Sequence, residues 1–191
     1  MISHRHKFLF IAVPKTASGT TRKIFNDLYD IHATGEGEES RTYYFHRTAR
    51  DMKQHFDEMN WNYDKYFKFT FVRNPWARTV SQWVWKTAKD CSFKYYLNKN
   101  VVNNKETDYT KFYCDEYGNN LVDFVGKIEN FQEDINTICD KIGIPRRQIP
   151  EKQTHKTKHK HYTEYYDDET RQIVAEKFAK DIEYFGYKFG E

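Results

Sequence analysis

Phe8-Leu9-Phe10-Ile11-Ala12-Val13 runs straight into Pro14-Lys15-Thr16-Ala17-Ser18-Gly19-Thr20-Thr21, and this junction decides the fold. Six apolar residues without alternation read as a strand buried on both faces, the pattern of a parallel sheet. Pro14 ends the strand and small polar residues make the turn. A helix is predicted from there to about residue 31, with Ile24, Phe25, Leu28 and Ile31 on one face. A helix N-terminus carries unpaired N–H groups and positive dipole potential, hydroxyls add donors, and Lys15 adds a mobile cation. The junction is an anion site in outline. It is not a Walker A loop, because its lysine precedes the glycine and no glycine lies upstream. An ordinary Ser/Thr-rich helix start with a solvated lysine fits the same residues.

Outward from there, a second buried strand is predicted over 66–72, Tyr-Phe-Lys-Phe-Thr-Phe-Val, ending at Arg73. Asn74-Pro75 reads as N-cap and first position of a helix whose inner face is Trp76, Val80, Trp83, Val84 and Thr87. Between the two strands, residues 32–44 read as loop, and Thr48 caps a helix with Met52, Phe56 and Met59 inward. Residues 88–118 show no clear period and read as a variable excursion. A third strand near 123–128 precedes a helix of about 131–142, stopped by Gly143 and Pro145. The last helix starts at Asp167-Asp168-Glu169, with Ile173, Val174, Phe178 and Ile182 inward. Alternating strands and helices predict one α/β domain over residues 1–191, with a mainly parallel sheet flanked by helices.

Composition narrows the function classes. Lys and Arg total 31 against 28 Asp and Glu, so the net charge of +3 excludes a general polycation, and any basic function is local. Mean hydropathy is −0.97, yet 15 Tyr, 15 Phe and 4 Trp point to a packed aromatic core rather than disorder. Three separated cysteines, Cys91, Cys114 and Cys139, make neither a disulfide framework nor a zinc knuckle. No apolar run approaches the roughly 20 residues that span a bilayer. The run at 8–13 is too short for a signal-peptide core. Lys152–His161 carries four Lys, three His and no acid, a basic loop. Its His155, His159 and His161 sit among lysines without a nearby cysteine, and no metal is expected there.

Arg73 stands at a strand's carboxyl edge and Ser81 on the helix that follows. Open α/β sheets bind ligands at that edge, so Arg73, Ser81 and Lys15 are expected to share one ligand. A guanidinium fork with a hydroxyl suits a second, separate phosphate.

Val13-Pro-Lys-Thr-Ala-Ser18 and Phe71-Val-Arg-Asn-Pro-Trp-Ala-Arg-Thr-Val-Ser81 together resemble the two cofactor motifs of sulfotransferases that use 3′-phosphoadenosine 5′-phosphosulfate (PAPS). The likeness is to the carbohydrate branch that includes the uronosyl 2-O enzymes. It continues through His46-Arg-Thr-Ala-Arg50, Asp123-Phe-Val-Gly-Lys-Ile-Glu-Asn130 and Lys156–Tyr166, and is weakest over 88–118. The loop departs from many relatives in having Ser18-Gly19 where glycine often follows alanine directly, and Lys127 stands where arginine is frequent.

The resemblance implies a P-loop-like sulfotransferase fold and transfer of a sulfuryl group to an acceptor hydroxyl on a carbohydrate. Lys15 would stabilise the bridging oxygen. The backbone and hydroxyls of Thr16, Ala17, Ser18, Gly19, Thr20 and Thr21 would hold the 5′-phosphosulfate, and Arg73 and Ser81 the 3′-phosphate. Lys158 and Lys160 would close over the cofactor. His46 is the expected base, since an imidazole takes a proton near neutral pH. Glu36, Glu38 and Glu39 are the alternatives, and a helix-flanking structural histidine is the plain reading of His46. The relatives are usually membrane-anchored, so a bare domain is expected to be cytoplasmic and of bacterial or viral source, with no nucleic-acid partner. Two other readings stay open: a small nucleotide kinase, and a polyanion-binding module that uses the 152–161 loop on RNA or sulfated glycan.

Overall fold

The computed structural model describes residues 1–30, 46–86, 90–103, 109–151 and 160–191. In chain order the elements are β1 (Ile2–Ser3), β2 (Phe8–Ile11), α1 (Ser18–Ile24), α2 (Ala49–Glu58), β3 (Phe67–Val72), α3 (Pro75–Lys86), α4 (Phe93–Tyr96), a π-helical run (Leu97–Val102), α5 (Thr110–Tyr113), β4 (Phe124–Lys127), α6 (Phe131–Ile142), α7 (Asp168–Lys177) and α8 (Ala179–Phe185). The chain divides into two compact units: Met1–Val72 with Thr110–Thr154, and Arg73–Tyr109 with His155–Glu191.

The first unit holds the whole sheet, in the order β1-β2-β3-β4. β2 and β3 pair in parallel with Phe8 opposite Phe67, and β3 and β4 pair in parallel with Phe69 opposite Phe124. Parallel neighbours need a crossover, which the helical segments between them supply. Alternation explains the all-apolar strands. Phe8, Phe10, Ala12, Phe69 and Phe71 point into one core with Ile24 and Phe25 from α1 and its end, and with Phe131, Ile135 and Ile138 from α6. Leu9, Ile11 and Val13 face the other way and are buried as well. The fold is α/β, as the strand pattern requires.

β1 is an addition to the sequence reading. It pairs antiparallel with β2 through Ile2 and Ser3, too short a stretch to show a period. α1 ends at Ile24, not near residue 31. Residues 25–28 follow as a turn, and the Leu28 carbonyl accepts from Ser3 Oγ, a tertiary bond that replaces further helix. Leu28 still packs on the core, whereas Ile31 and the expected loop 32–44, with Glu36, Glu38 and Glu39, lie outside the described residues. Thr48 caps α2 as expected, in a full capping box with Asp51. Met52 and Phe56 are buried, but Met59 is exposed because the helix has already stopped. α6 spans Phe131–Ile142 and stops at Gly143, whose φ of 72° is the left-handed cap that glycine favours.

The second unit is helical. α3 begins at Pro75 behind Asn74, whose Oδ1 accepts from the Trp76 and Ala77 amides (3.1 and 3.4 Å). Trp76 and Val80 are buried, Trp83 and Val84 half-buried, and Thr87 falls outside the described residues. Within the excursion expected after it stand α4 and the π-helical run, with Phe93, Tyr96, Leu97 and Val101 buried. The terminal helix is two helices rather than one. Phe178, with φ −112° and ψ 26°, ends α7 and starts α8, and no glycine or proline announces the break.

Candidate active site

The strand-end loop is strained where it matters. Among the described residues five non-glycines have positive φ, and three of them, Lys15 (66°), Ala17 (54°) and His46 (60°), are candidate site residues. Each such residue costs about 1–2 kcal/mol, which persists only where the surroundings enforce it, and such positions cluster at functional sites. The enforcement is visible. Thr16 is fully buried and its Oγ1 donates to the Val13 carbonyl (2.9 Å), while Thr21 Oγ1 donates to the Ala17 carbonyl (3.2 Å). These two hydroxyls shape the loop. Ala17 is the N-cap of α1 and brings no capping side chain, so the first-turn amides are left to other acceptors. Ser18, Gly19 and Lys15 are half-buried, and Thr20 is buried. From Ala12 to Phe25 the sequence has no acid, so an anion meets no like charge from this segment.

His46 is tied to the root of the same loop. Its Nδ1 lies 2.7 Å from the Ala12 carbonyl, which can only accept. Nδ1 therefore carries the hydrogen, and in the neutral ring Nε2 is the basic nitrogen. Two residues on, the capping box fixes the start of α2: Asp51 N–H donates to Thr48 Oγ1 (3.1 Å) and Thr48 N–H to Asp51 Oδ2 (3.0 Å). The imidazole is thus held between a sheet-end carbonyl and a capped helix. The structure brings His46 and the Lys15 loop together within the first unit.

The second motif belongs to the second unit. Arg73, half-buried, follows β3 directly, and Ser81 is buried on α3. Asn74 fixes the start of that helix and donates through Nδ2 to the Lys188 carbonyl (3.0 Å). Arg78, within the motif but given no role by the sequence reading, places its guanidinium 3.9 Å from the centre of the Tyr109 ring. The Tyr109 amide in turn donates to both oxygens of the fully buried Asp181 (3.1 and 3.0 Å). Lys160 is exposed, with Nζ 3.4 Å from Glu164 and its amide donating to Tyr165 Oη. Lys158 lies outside the described residues, as do His155 and His159. A residue the sequence reading missed is Arg147, which donates to the Ile24 carbonyl (2.6 Å) and so closes the end of α1. No local pattern signals a contact 123 residues away.

The model of the sulfotransferase family matches residues 1–188. The chain belongs to that family. An uncharacterized protein of Archaeoglobus fulgidus is 38% identical over 87 residues, covering 44% of this chain and 72% of that protein. Carbohydrate sulfotransferase 14 of Danio rerio is 23% identical over 230 aligned positions, covering 98% of this sulfotransferase-family chain and 61% of the fish protein. The chain thus spans less than two thirds of the length of that carbohydrate sulfotransferase. No solved structure matches. Among the described residues, no group of three or more His, Cys, Asp or Glu could hold a metal ion, and no helix is long and apolar enough to cross a membrane.

Proposed function

We propose that this chain transfers the sulfuryl group of PAPS to a hydroxyl of a carbohydrate. The observation that supports this best is the bond from His46 Nδ1 to the Ala12 carbonyl, which sets an oriented imidazole at the root of the loop that carries Lys15. The donor is a polyanion, and the loop suits one: half-buried lysine, small residues, first-turn amides without a side-chain cap, and no acid. The family resemblance assigns the 5′-phosphosulfate to Lys15 and to Thr16, Ala17, Ser18, Gly19, Thr20 and Thr21, and the 3′-phosphate to Arg73 and Ser81. It adds Lys158 and Lys160 over the nucleotide. The likeness to the fish carbohydrate sulfotransferase is the ground for a carbohydrate acceptor.

In this reading His46 Nε2 takes the acceptor's proton as its oxygen bonds to sulfur. The bond from sulfur to the bridging oxygen breaks, and 3′-phosphoadenosine 5′-phosphate departs. Lys15 neutralises the charge that builds on that departing oxygen. General-base catalysis of this kind is worth about 10²–10⁴ in rate.

Adding 3′-phosphoadenosine 5′-phosphate is expected to raise the melting temperature of the protein, and Arg73→Ala to remove most of that rise. His46→Ala is expected to keep the rise while losing at least about 100-fold in turnover of labelled PAPS over a panel of sugars. A wild-type protein that ignores the nucleotide, alongside an Arg73→Ala variant that behaves identically, ends this reading. Binding by the basic loop alone would instead fall steeply with salt and be indifferent to that nucleotide.

A further inference from the structure

Tyr117 is the most exposed large hydrophobic side chain among the described residues, at 84%. Exposure by itself says little, because folded surfaces are rich in apolar atoms. What sets Tyr117 apart is the rigidity of its mounting. Cys114 and Asn120 pair as an antiparallel bridge, and the Leu121 amide donates to the Tyr113 carbonyl (2.8 Å). Within that closure the Asp115 amide donates to the Asn119 carbonyl (2.9 Å), and the Gly118 amide to the Asp115 carbonyl (3.2 Å). The Asp115 carboxylate then accepts from the Tyr117 amide (2.9 Å), the Asn119 amide (2.8 Å) and Asn119 Nδ2 (2.9 Å). These bonds, that of Asn119 Nδ2 first, hold the Asp115 carboxyl below its ordinary range. Gly118, at φ 87°, supplies the turn that an L side chain rarely adopts.

The loop also makes an ion pair with α2. Glu116 Oε2 lies 3.3 Å from Arg50 Nη1, and Arg50 is in the first turn of α2. His46 is four residues before Arg50, so their Cα atoms are at most about 14 Å apart. The loop that carries Tyr117 is thereby joined to the helix start that follows His46, and its neighbours Glu116, Asn119 and Asn120 are exposed. An aromatic face bordered by amides and a carboxylate–guanidinium pair is the chemistry that recognises a sugar ring. The C–H face of a pyranose lies on the electron-rich ring, and its hydroxyls find donors and acceptors at the rim. A backbone mount already hydrogen-bonded also lowers the ordering cost of binding.

We propose that Tyr117 is an acceptor-binding residue, on which a sugar of the oligosaccharide presented to His46 stacks. This rests on the sulfotransferase reading above, and the experiment separates the two. Unsulfated chondroitin and heparosan hexasaccharides serve as acceptors, with initial rates measured against hexasaccharide and against PAPS. Tyr117→Ala is expected to raise the hexasaccharide KM about tenfold, the factor that 1.4 kcal/mol gives. Tyr117→Phe, which keeps the aromatic face, is expected to stay within about twofold of the wild type. The PAPS KM and the nucleotide-induced rise in melting temperature should not move in either variant. Tyr184→Ala removes another exposed tyrosine, 66% accessible on α8, and is the control without effect. An unchanged hexasaccharide KM in Tyr117→Ala overturns the proposal, as does an equal rise in the PAPS KM. If the wild type responds to the nucleotide but turns over neither hexasaccharide, the platform is overturned and the sulfotransferase reading stands. If the wild type ignores the nucleotide, the reading itself has failed.

Discussion

The two units fill their interiors with aromatics in different ways. In the sheet-bearing unit the core is phenylalanine: Phe10 stacks on Phe69 at 5.1 Å, and Phe71 meets Phe131 edge-on at 5.0 Å. In the helical unit four of the packed rings carry polar atoms that reach backbone carbonyls. Trp76 Nε1 donates to the Arg171 carbonyl (3.0 Å), Trp83 Nε1 to that of Cys91 (3.0 Å), Tyr166 Oη to that of Trp76 (2.9 Å) and Tyr162 Oη to that of Glu191 (3.1 Å). A parallel ladder satisfies its own N–H and C=O groups, so its core needs only shape. Short helices and irregular joints leave carbonyls without partners, and Tyr and Trp fill space while satisfying them. The rule holds within the first unit too, since Tyr63, outside the sheet, donates to the Leu121 carbonyl (3.0 Å).

The largest test of this contrast is steric and belongs to the sheet. A Cβ at Gly126 on β4 would stand 2.5 Å from Phe71 Cε1 and 2.7 Å from Cδ1, with Asp134 Oδ2 at 3.1 Å. Phe71 is fully buried and walled by Phe10, Phe69 and Phe131, so its ring has nowhere to go. Gly126→Ala is expected to cost about 3 kcal/mol, the upper end for overpacking a dense core, measured by urea unfolding. A cost under about 1 kcal/mol would show that the phenylalanine core is looser than its geometry.

The helical unit gives a smaller, chemical effect. Burial pushes the Tyr166 phenol up, so it is a donor at every ordinary pH. Tyr166→Phe keeps the ring against Phe93 and Phe189 and removes the hydroxyl that bonds the Trp76 carbonyl and the Thr79 side chain. The expected loss is about 1 kcal/mol by the same melts. No loss at all would mean that these rings, too, act by shape alone.

What the sequence disclosed follows the same division. β3, α6 and the starts of α2 and α3 were legible because each is written locally: an apolar run, a Gly143 stop, a Thr48 cap, an Asn74-Pro75 start. The end of α1, the two-residue β1 and the break at Phe178 were not. Each is set by partners distant in sequence or by packing, as with Ser3 Oγ on the Leu28 carbonyl. The candidate site divides likewise. Lys15 and Arg73 announce themselves by residue type at strand ends and Ser81 by its place on the helix that follows, but the bond that orients His46 reaches Ala12, 34 residues away. The Tyr117 mount was not legible, since residues 88–118 read as an excursion without period and its anchor Arg50 is distant in sequence.

The finest contrast sets two carboxylates of the sheet-bearing unit against each other. Asp27 lies at the irregular exit from α1, where the Arg147 fork, with Nη2 at 2.9 Å, holds it below the usual range. Asp134, in the first turn of α6, reaches back to the end of β4, where its Oδ2 accepts from the Lys127 amide (2.6 Å), and burial raises it. The signs are opposite. A carboxyl lowered on folding contributes stability above its unfolded value, and that contribution is lost as pH falls through the folded one. A raised carboxyl costs stability once ionised, and acid removes the cost. At about pH 7 Asp27→Asn should therefore lose stability, by a few tenths of a kcal/mol for so exposed a pair. Asp134→Asn should be at least as stable as wild type, because its amide oxygen still accepts from Lys127 without the buried charge. At about pH 3 both differences should shrink toward zero. Losses of the same sign in both variants at neutral pH would mean that the Lys127 bond outweighs the burial of its acceptor. The ladder's end would then depend on a side chain just as the irregular joints do.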